Sequence, residues 1–232
     1  MQAHNLESYS KPPTVAAARA TRALVELSIG YGLILLVVWT PQPWQRMLFW
    51  AALAWIVAAT VVSFDGFSAM GLSIRGFLRS LWIVALAMLL AAVSFTLAAR
   101  FHTSHIPASP ALLVERYWGY AIWAFLQEFL LLDFFLLRLL RLLPDVKMAV
   151  IAAAGLFTIA HLPSPILTLV TLVWGLSACL LFLRYRSLYT LGMAHVIFGV
   201  CIAVTVPLTV THNMKVGLGY LKYRPPALTA NR

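Results

Sequence analysis

Seven apolar stretches separated by short polar breaks set the pattern of this 232-residue chain. They run over Ala23–Thr40, Met47–Phe64, Phe77–Ala99, Tyr117–Leu140, Met148–Leu162, Ile166–Tyr185 and Leu188–Pro207. A helix crossing the hydrocarbon core takes about 20 residues, so most are of spanning length and the fifth is short. The breaks carry helix-stop chemistry: Pro41-Gln42-Pro43, Asp65-Gly66, Pro144-Asp145 and Pro163-Ser164-Pro165. The pattern predicts an all-α fold, a polytopic transmembrane bundle of about seven helices, or eight if the tail adds one. Residues 1–232 read as a single membrane domain with a polar N-terminal segment (1–22) and a polar C-terminal tail (208–232) that can hold a short surface helix. No internal repeat or low-complexity tract is visible.

The fourth element is the longest. Ser109 suits an N-cap with Pro110 at the first helical position. A continuous helix from Pro110 to Leu143 would be about 51 Å long, more than the bilayer core needs. Its first turns, with Glu115 and Arg116, are therefore expected outside the core, which brings Glu128 near mid-membrane.

Composition sharpens this picture. The chain is 62% hydrophobic and 10% charged, where a soluble domain carries roughly 25% charged residues. The net charge of +10 lies in short loops, where it holds topology and meets anionic headgroups. No basic run with interleaved aromatics points to nucleic acid. Ten of the 17 Lys and Arg fall inside if the N-terminus is cytoplasmic: Lys11, Arg19, Arg22, Arg75, Arg79, Arg138, Arg141, Lys147, Arg184 and Arg186. The expectation is a multi-pass protein, of a prokaryotic cytoplasmic membrane; the bias supports a cytoplasmic N-terminus, although the basic tail runs against it. The polar N-terminus followed by 18 apolar residues reads as a retained first span rather than a cleaved signal peptide. Cys179 and Cys201 sit in apolar segments and read as small buried hydrophobes.

Glu128, inside WAFLQEFLLLDFFLL, is the residue the membrane should least tolerate. An ionisable group at the centre of a spanning helix costs about 2.5–3.5 kcal/mol. His161 and His195 have the same problem. By helix rise, Glu128 lies about 20 Å from the boundary marked by Arg141, His161 about 21 Å from Lys147 and His195 about 14 Å from Arg186. Convergence of the three is the cheaper arrangement, since each buried alone would lack a partner. Together they suit hydrolysis: Glu128 as general base, His161 as its partner on a water, and His195 stabilising the oxyanion.

Phe157-Thr-Ile-Ala-His161, with His195 further on and Glu128 placed 33 residues before His161, resembles the CPBP family. These are intramembrane proteases of the CAAX prenyl endopeptidase and bacteriocin-processing type, also called Abi. The family pattern is Glu-Glu-x-x-x-Arg, then Phe-x-x-x-His, then His-x-x-x-Asn. The resemblance covers roughly Trp118 to Pro207. It implies cleavage of a membrane-embedded or lipidated peptide by Glu128, His161 and His195, with Phe157, Asp133 and Gly199 at supporting positions. Three departures stand out. Without a gap, the second Glu falls on Phe129, the motif Arg on Asp133 and the Asn on Gly199. Alternatively Gln127-Glu128 takes the place of the Glu pair, leaving Leu132 at the Arg position. Asp133 and Arg138 also reproduce the acid-to-Arg spacing, but only 28 residues before His161.

Relatives of this kind are often called metalloproteases, although the resemblance also fits a metal-independent glutamate hydrolase. Glu128, His161 and His195 are the set that would hold a divalent metal such as zinc. No His-Glu-x-x-His run exists, so no cofactor is expected. His102 and His105 read as a solvated loop, and His4 and His212 as unspecific. Asp133 reads as a structural or interfacial acid near Arg138, and Glu26 as an acid reaching the interface. The interface aromatics include Trp44, Trp50, Trp118 and Trp123. The partners implied are a membrane peptide and the lipid bilayer. Rival readings are a degenerate member acting as a scaffold or chaperone, a proton-coupled transporter using Glu128 and Asp133, and haem ligation by His161 and His195.

Overall fold

The computed structural model describes residues 13–224, with side chains from residue 17 onward. His4 and Lys11 lie outside the described residues. Every regular element is a helix, apart from one isolated bridge between Leu72 and Ser187. The elements are α1 (Pro13–Trp39), α2 (Trp44–Val62), α3 (Ile74–Arg100), α4 (Pro110–Phe129), a π-helical stretch (Leu130–Leu136) and α5 (Leu137–Leu142). They continue as α6 (Val146–Ile159), α7 (Pro165–Tyr185), α8 (Leu188–Thr205), α9 (Leu208–Thr211), a 3₁₀ turn (His212–Met214) and α10 (Gly217–Leu221).

Six helices are long and apolar enough to cross a membrane: α1, α2, α3, the compound helix Pro110–Leu142, α7 and α8. The expected fifth span is only the 14-residue α6, about 21 Å long and short of the roughly 30 Å core. The count of seven is thus not met by length, and among the described residues no tail helix is long enough to make an eighth. The cause is Pro163-Ser164-Pro165, which stops α6 and restarts the chain as α7. The first helix begins at Pro13, ten residues before its apolar stretch, because nothing in 13–22 breaks a helix.

Local sequence explains the other starts. Ser73, Ser109 and Ser187 accept from Gly76, Leu112 and Thr190 backbone N–H groups, and Asp145 accepts from that of Lys147 at 2.8 Å. Pro110 stands at the first position of α4, as its sequence predicts.

The core is built around the compound helix. All seven residues of its π-helical stretch are buried, packed by α6 and α7, while α4 lies along α8 and α1 along α5. Helix α8 is central, with 56% of its apolar span buried against 17% for α2. Small polar groups tie it down: Ser80 on α3 meets Thr190 at 2.8 Å, and Thr190 donates to Ser187. The tail folds back rather than lying free. The Gly217 N–H donates to the Leu162 carbonyl at 2.7 Å, and His212 stacks on Tyr220 with ring centres 4.0 Å apart.

Glu26 is buried inside the bundle rather than reaching the interface. One carboxylate oxygen accepts from Arg22 and Ser63, the other from Arg138 at 2.9 Å. Arg138 also donates to the Asp133 and Phe134 carbonyls and lies over the Phe134 ring. Arg138 thus pairs with α1, not with the Asp133 carboxylate. Removing one partner of such a buried pair leaves the other charge uncompensated, at about 3–5 kcal/mol. Glu26→Leu is therefore expected to lower the unfolding temperature in detergent strongly, and Glu26→Leu with Arg138→Met to recover most of the loss. Equal stability of wild type and Glu26→Leu would rule the pair out as a clamp.

Candidate active site

Three helices bring the ionisable side chains to one end of a single cavity. Glu128 ends α4 two residues before the helix widens, His161 follows α6 in the Pro163 turn, and His195 faces inward from α8. Glu128 is fully buried. Its Oε2 accepts from Trp174 Nε1–H of α7 at 3.0 Å and meets His195 Nδ1 at 2.8 Å. Its Oε1 has no partner among the described residues. A carboxylate accepts, so Nδ1 of His195 carries the proton of that bond and Nε2 has no partner among the described residues.

His161 is oriented differently. Its Nδ1 donates to the Phe157 carbonyl at 2.7 Å, one turn back. A carbonyl only accepts, which fixes the tautomer: Nε2 is the acceptor and takes an N–H of Gln127 at 3.2 Å. The ring of Phe157 stands edge-on to both imidazoles, with centres 4.8 and 6.1 Å away. The expected convergence therefore splits into two pairs, Glu128 with His195 and Gln127 with His161. No direct hydrogen bond joins Glu128 to His161 among the described residues: Gln127, one residue earlier on α4, is the side-chain partner of that histidine.

A cavity of about 1340 Å³ opens beside both pairs. Gln127, Phe157, His161, Trp174, His195 and Gly199 line it, whereas Glu128 lies behind its wall, reached through His195. Most of the remaining lining is aliphatic or aromatic, including Ile34, Leu53, Leu86 and Trp123. Gly199 is one turn beyond His195, and the side chain of Tyr120 on α4 fills the space a Cβ there would take. Asp133 plays no part in the cavity. Its carboxylate is buried in the π-helical stretch with no partner among the described residues, so it supports the substrate wall in no direct way.

No three His, Cys, Asp or Glu side chains among the described residues are arranged as a metal-ligand set. The Glu128, His161 and His195 donors do not fit one: His161 turns its free nitrogen to Gln127, and Glu128 is sealed behind His195. His102 is exposed and His105 half-buried in the loop after α3, as expected of a solvated loop. Both cysteines are buried and free.

Trp174 and Tyr120 are the site residues that spacing did not single out, and Gln127 entered only through the alternative alignment of the first motif. Trp174 carried a usable signal. It lies nine residues past Pro165, about 14 Å along α7, too deep for an interface aromatic, and a buried indole N–H needs an acceptor.

A bundle of apolar helices of spanning length, with His195 on the wall of an apolar cavity and Glu128 behind it, defines the class: a multi-pass membrane protein. Residues 110–201 match the family model described as type II CAAX prenyl endopeptidase Rce1-like, so from α4 into α8 the chain is similar to that family. Comparison with the curated proteins and with the solved structures finds no match.

The tautomer of His161 is directly measurable. Nitrogen-15 NMR of histidine-labelled protein in micelles is expected to show His161 protonated at Nδ1 and bare at Nε2. A proton on Nε2 would contradict the Gln127 contact.

Proposed function

We propose that this protein is an intramembrane endopeptidase of the CAAX-protease type, hydrolysing a peptide bond of a membrane-embedded or lipidated substrate. The observation that carries the reading is the Glu128–His195 pair at the cavity wall. His195 turns Nε2 to the cavity while Glu128 holds its Nδ1–H, the arrangement of a base oriented by a third group. Trp174 fixes the carboxylate. The base that meets water is thus His195, and Glu128 acts through it, stabilising the imidazolium as it forms. This revises the assignment of Glu128 to the water itself, because Glu128 does not line the cavity.

The site can run a balanced cycle. Nε2 of His195 takes a proton from water as its oxygen attacks the scissile carbonyl carbon, and the carbonyl electron pair moves to oxygen. Collapse re-forms the carbonyl, the C–N bond breaks, and His195 returns the proton to the leaving amine. Gln127, held by His161, presents its remaining amide groups to the cavity and is suited to a peptide backbone. The apolar lining suits the lipid chain of a substrate whose cysteine is prenylated four residues from its C-terminus, the pattern such enzymes are named for.

The test uses purified protein in proteoliposomes and an internally quenched peptide with such an S-prenylated cysteine. His195→Ala is expected to abolish cleavage, and Glu128→Gln to lower kcat about 10²–10⁴-fold, with the unfolding temperature held. Undiminished turnover in either variant would sink the assignment. The sealed Oε1 of Glu128 favours one rival, a member that holds membrane peptides without cutting them. Tight binding of the same peptide by wild type, with no cleavage, would select that rival.

A further inference from the structure

Tyr120 is a polar side chain of the cavity that the cycle above leaves unused, and it stands beside His195 and Gly199. It lines the cavity from α4, two turns before Glu128, and its hydroxyl makes no hydrogen bond among the described residues. The hydroxyl is not one of the sealed, unpartnered polar atoms of the bundle; it opens to the cavity, where its donor is free for a substrate. Its position narrows that use. A Cβ built on Gly199 would lie 2.6 Å from Tyr120 Cε1 and closer still to the hydroxyl oxygen. The phenol therefore rests directly on the Gly199 backbone. Gly199 follows His195 by four residues, so the two share a face of α8, about 6 Å apart along its axis. Glycine at 199 is what lets a group from a neighbouring helix reach that point.

The geometry points to Tyr120 as the oxyanion donor of this hydrolase, its phenolic O–H aimed at the carbonyl oxygen of the scissile bond. The inference rests on the His195–Glu128 reading of the site. Water attached by His195 approaches the carbonyl carbon from one side; the oxygen that gains the electron pair then needs donors one bond length further along the same face. Tyr120 supplies one without giving up its proton at any step. The donated hydrogen bond strengthens as negative charge gathers on the oxygen, so it favours the transition state over the bound substrate. Gly199 and Tyr120 form one unit: a donor on α4, and a missing side chain on α8 that makes room for it.

The prenylated quenched peptide in proteoliposomes serves as the probe. Tyr120→Phe keeps the ring that packs on Gly199 and removes only the hydroxyl. It is expected to lower kcat about 10²–10³-fold, with KM within about twofold and the unfolding temperature unchanged. Tyr120→Ala with Gly199→Asn, which moves the donor from α4 to α8, is expected to turn over at least tenfold faster than Tyr120→Ala alone. Wild-type kcat in Tyr120→Phe, with His195→Ala inactive, overturns the Tyr120 assignment and leaves the hydrolase reading standing. A loss in Tyr120→Phe that falls on KM overturns it too, since it marks a substrate contact rather than an oxyanion donor. Wild-type turnover in His195→Ala, or none in the unaltered protein, removes both readings together.

Discussion

A charged side chain sealed inside a membrane bundle has to be held by donors that arrive from other helices, and Glu128 imposes that requirement on this fold. Its carboxylate is fully buried, so the 2.8 Å contact with His195 and the 3.0 Å bond from Trp174 are its solvation. Those two donors come from α8 and α7. The packing of α4 against α8, and of the widened stretch after it against α7, is therefore also the packing that keeps the carboxylate in place. The same contacts aim the imidazole at the cavity. Stability and chemistry meet in a single pair of hydrogen bonds.

The widening of the helix directly after Glu128 is part of this arrangement. Seven buried residues in π-helical form, Leu130–Leu136, separate two polar systems on one rod. π-Helical turns are uncommon and collect at functional sites. Here the stretch lets Glu128 face α7 and α8 while Arg138, ten residues on, faces α1. The two systems differ in how completely they are satisfied. Both oxygens of Glu26 are occupied, by Arg22, Ser63 and Arg138. Glu128 has both bonds on one oxygen, and its partner His195 keeps an open nitrogen. The first system reads as a clamp and the second as a site.

Much of this was legible in the chain. Apolar stretches located most helices to within a few residues, with α1 starting ten earlier, Ser109-Pro110 marked the start of α4, and Phe157, His161 and His195 carried a resemblance to a family whose model matches residues 110–201. Hydropathy placed the short α6 and its proline stop, and overreached only in counting those 14 residues as a span. It failed at Glu26, since depth along a helix does not say which neighbour lies opposite. The partners of the ionisable groups were hidden for the same reason. Spacing gives the height of Glu128, His161 and His195, whereas their rotation about each helix axis, which decides that His161 faces Gln127, depends on packing and on a π-helical turn with no sequence mark.

Gly199 shows how such a substitution is to be read. By motif alone, glycine at that position is the loss of a donor and an argument for a dead enzyme. In three dimensions the position is not empty, because the Tyr120 side chain fills it from α4. What a site needs is a donor at a point in space, and any helix that passes the point can supply it. A Cβ at 199 would exclude the phenol, and a smaller residue at 120 would leave a gap beside glycine, so the two positions constrain each other. The pair replaces a side chain within one helix by a contact between two. Such an exchange also binds α4 to α8 about one turn of α8 beyond the point where Glu128 and His195 meet, one more way in which the packing of these two helices bears on the site.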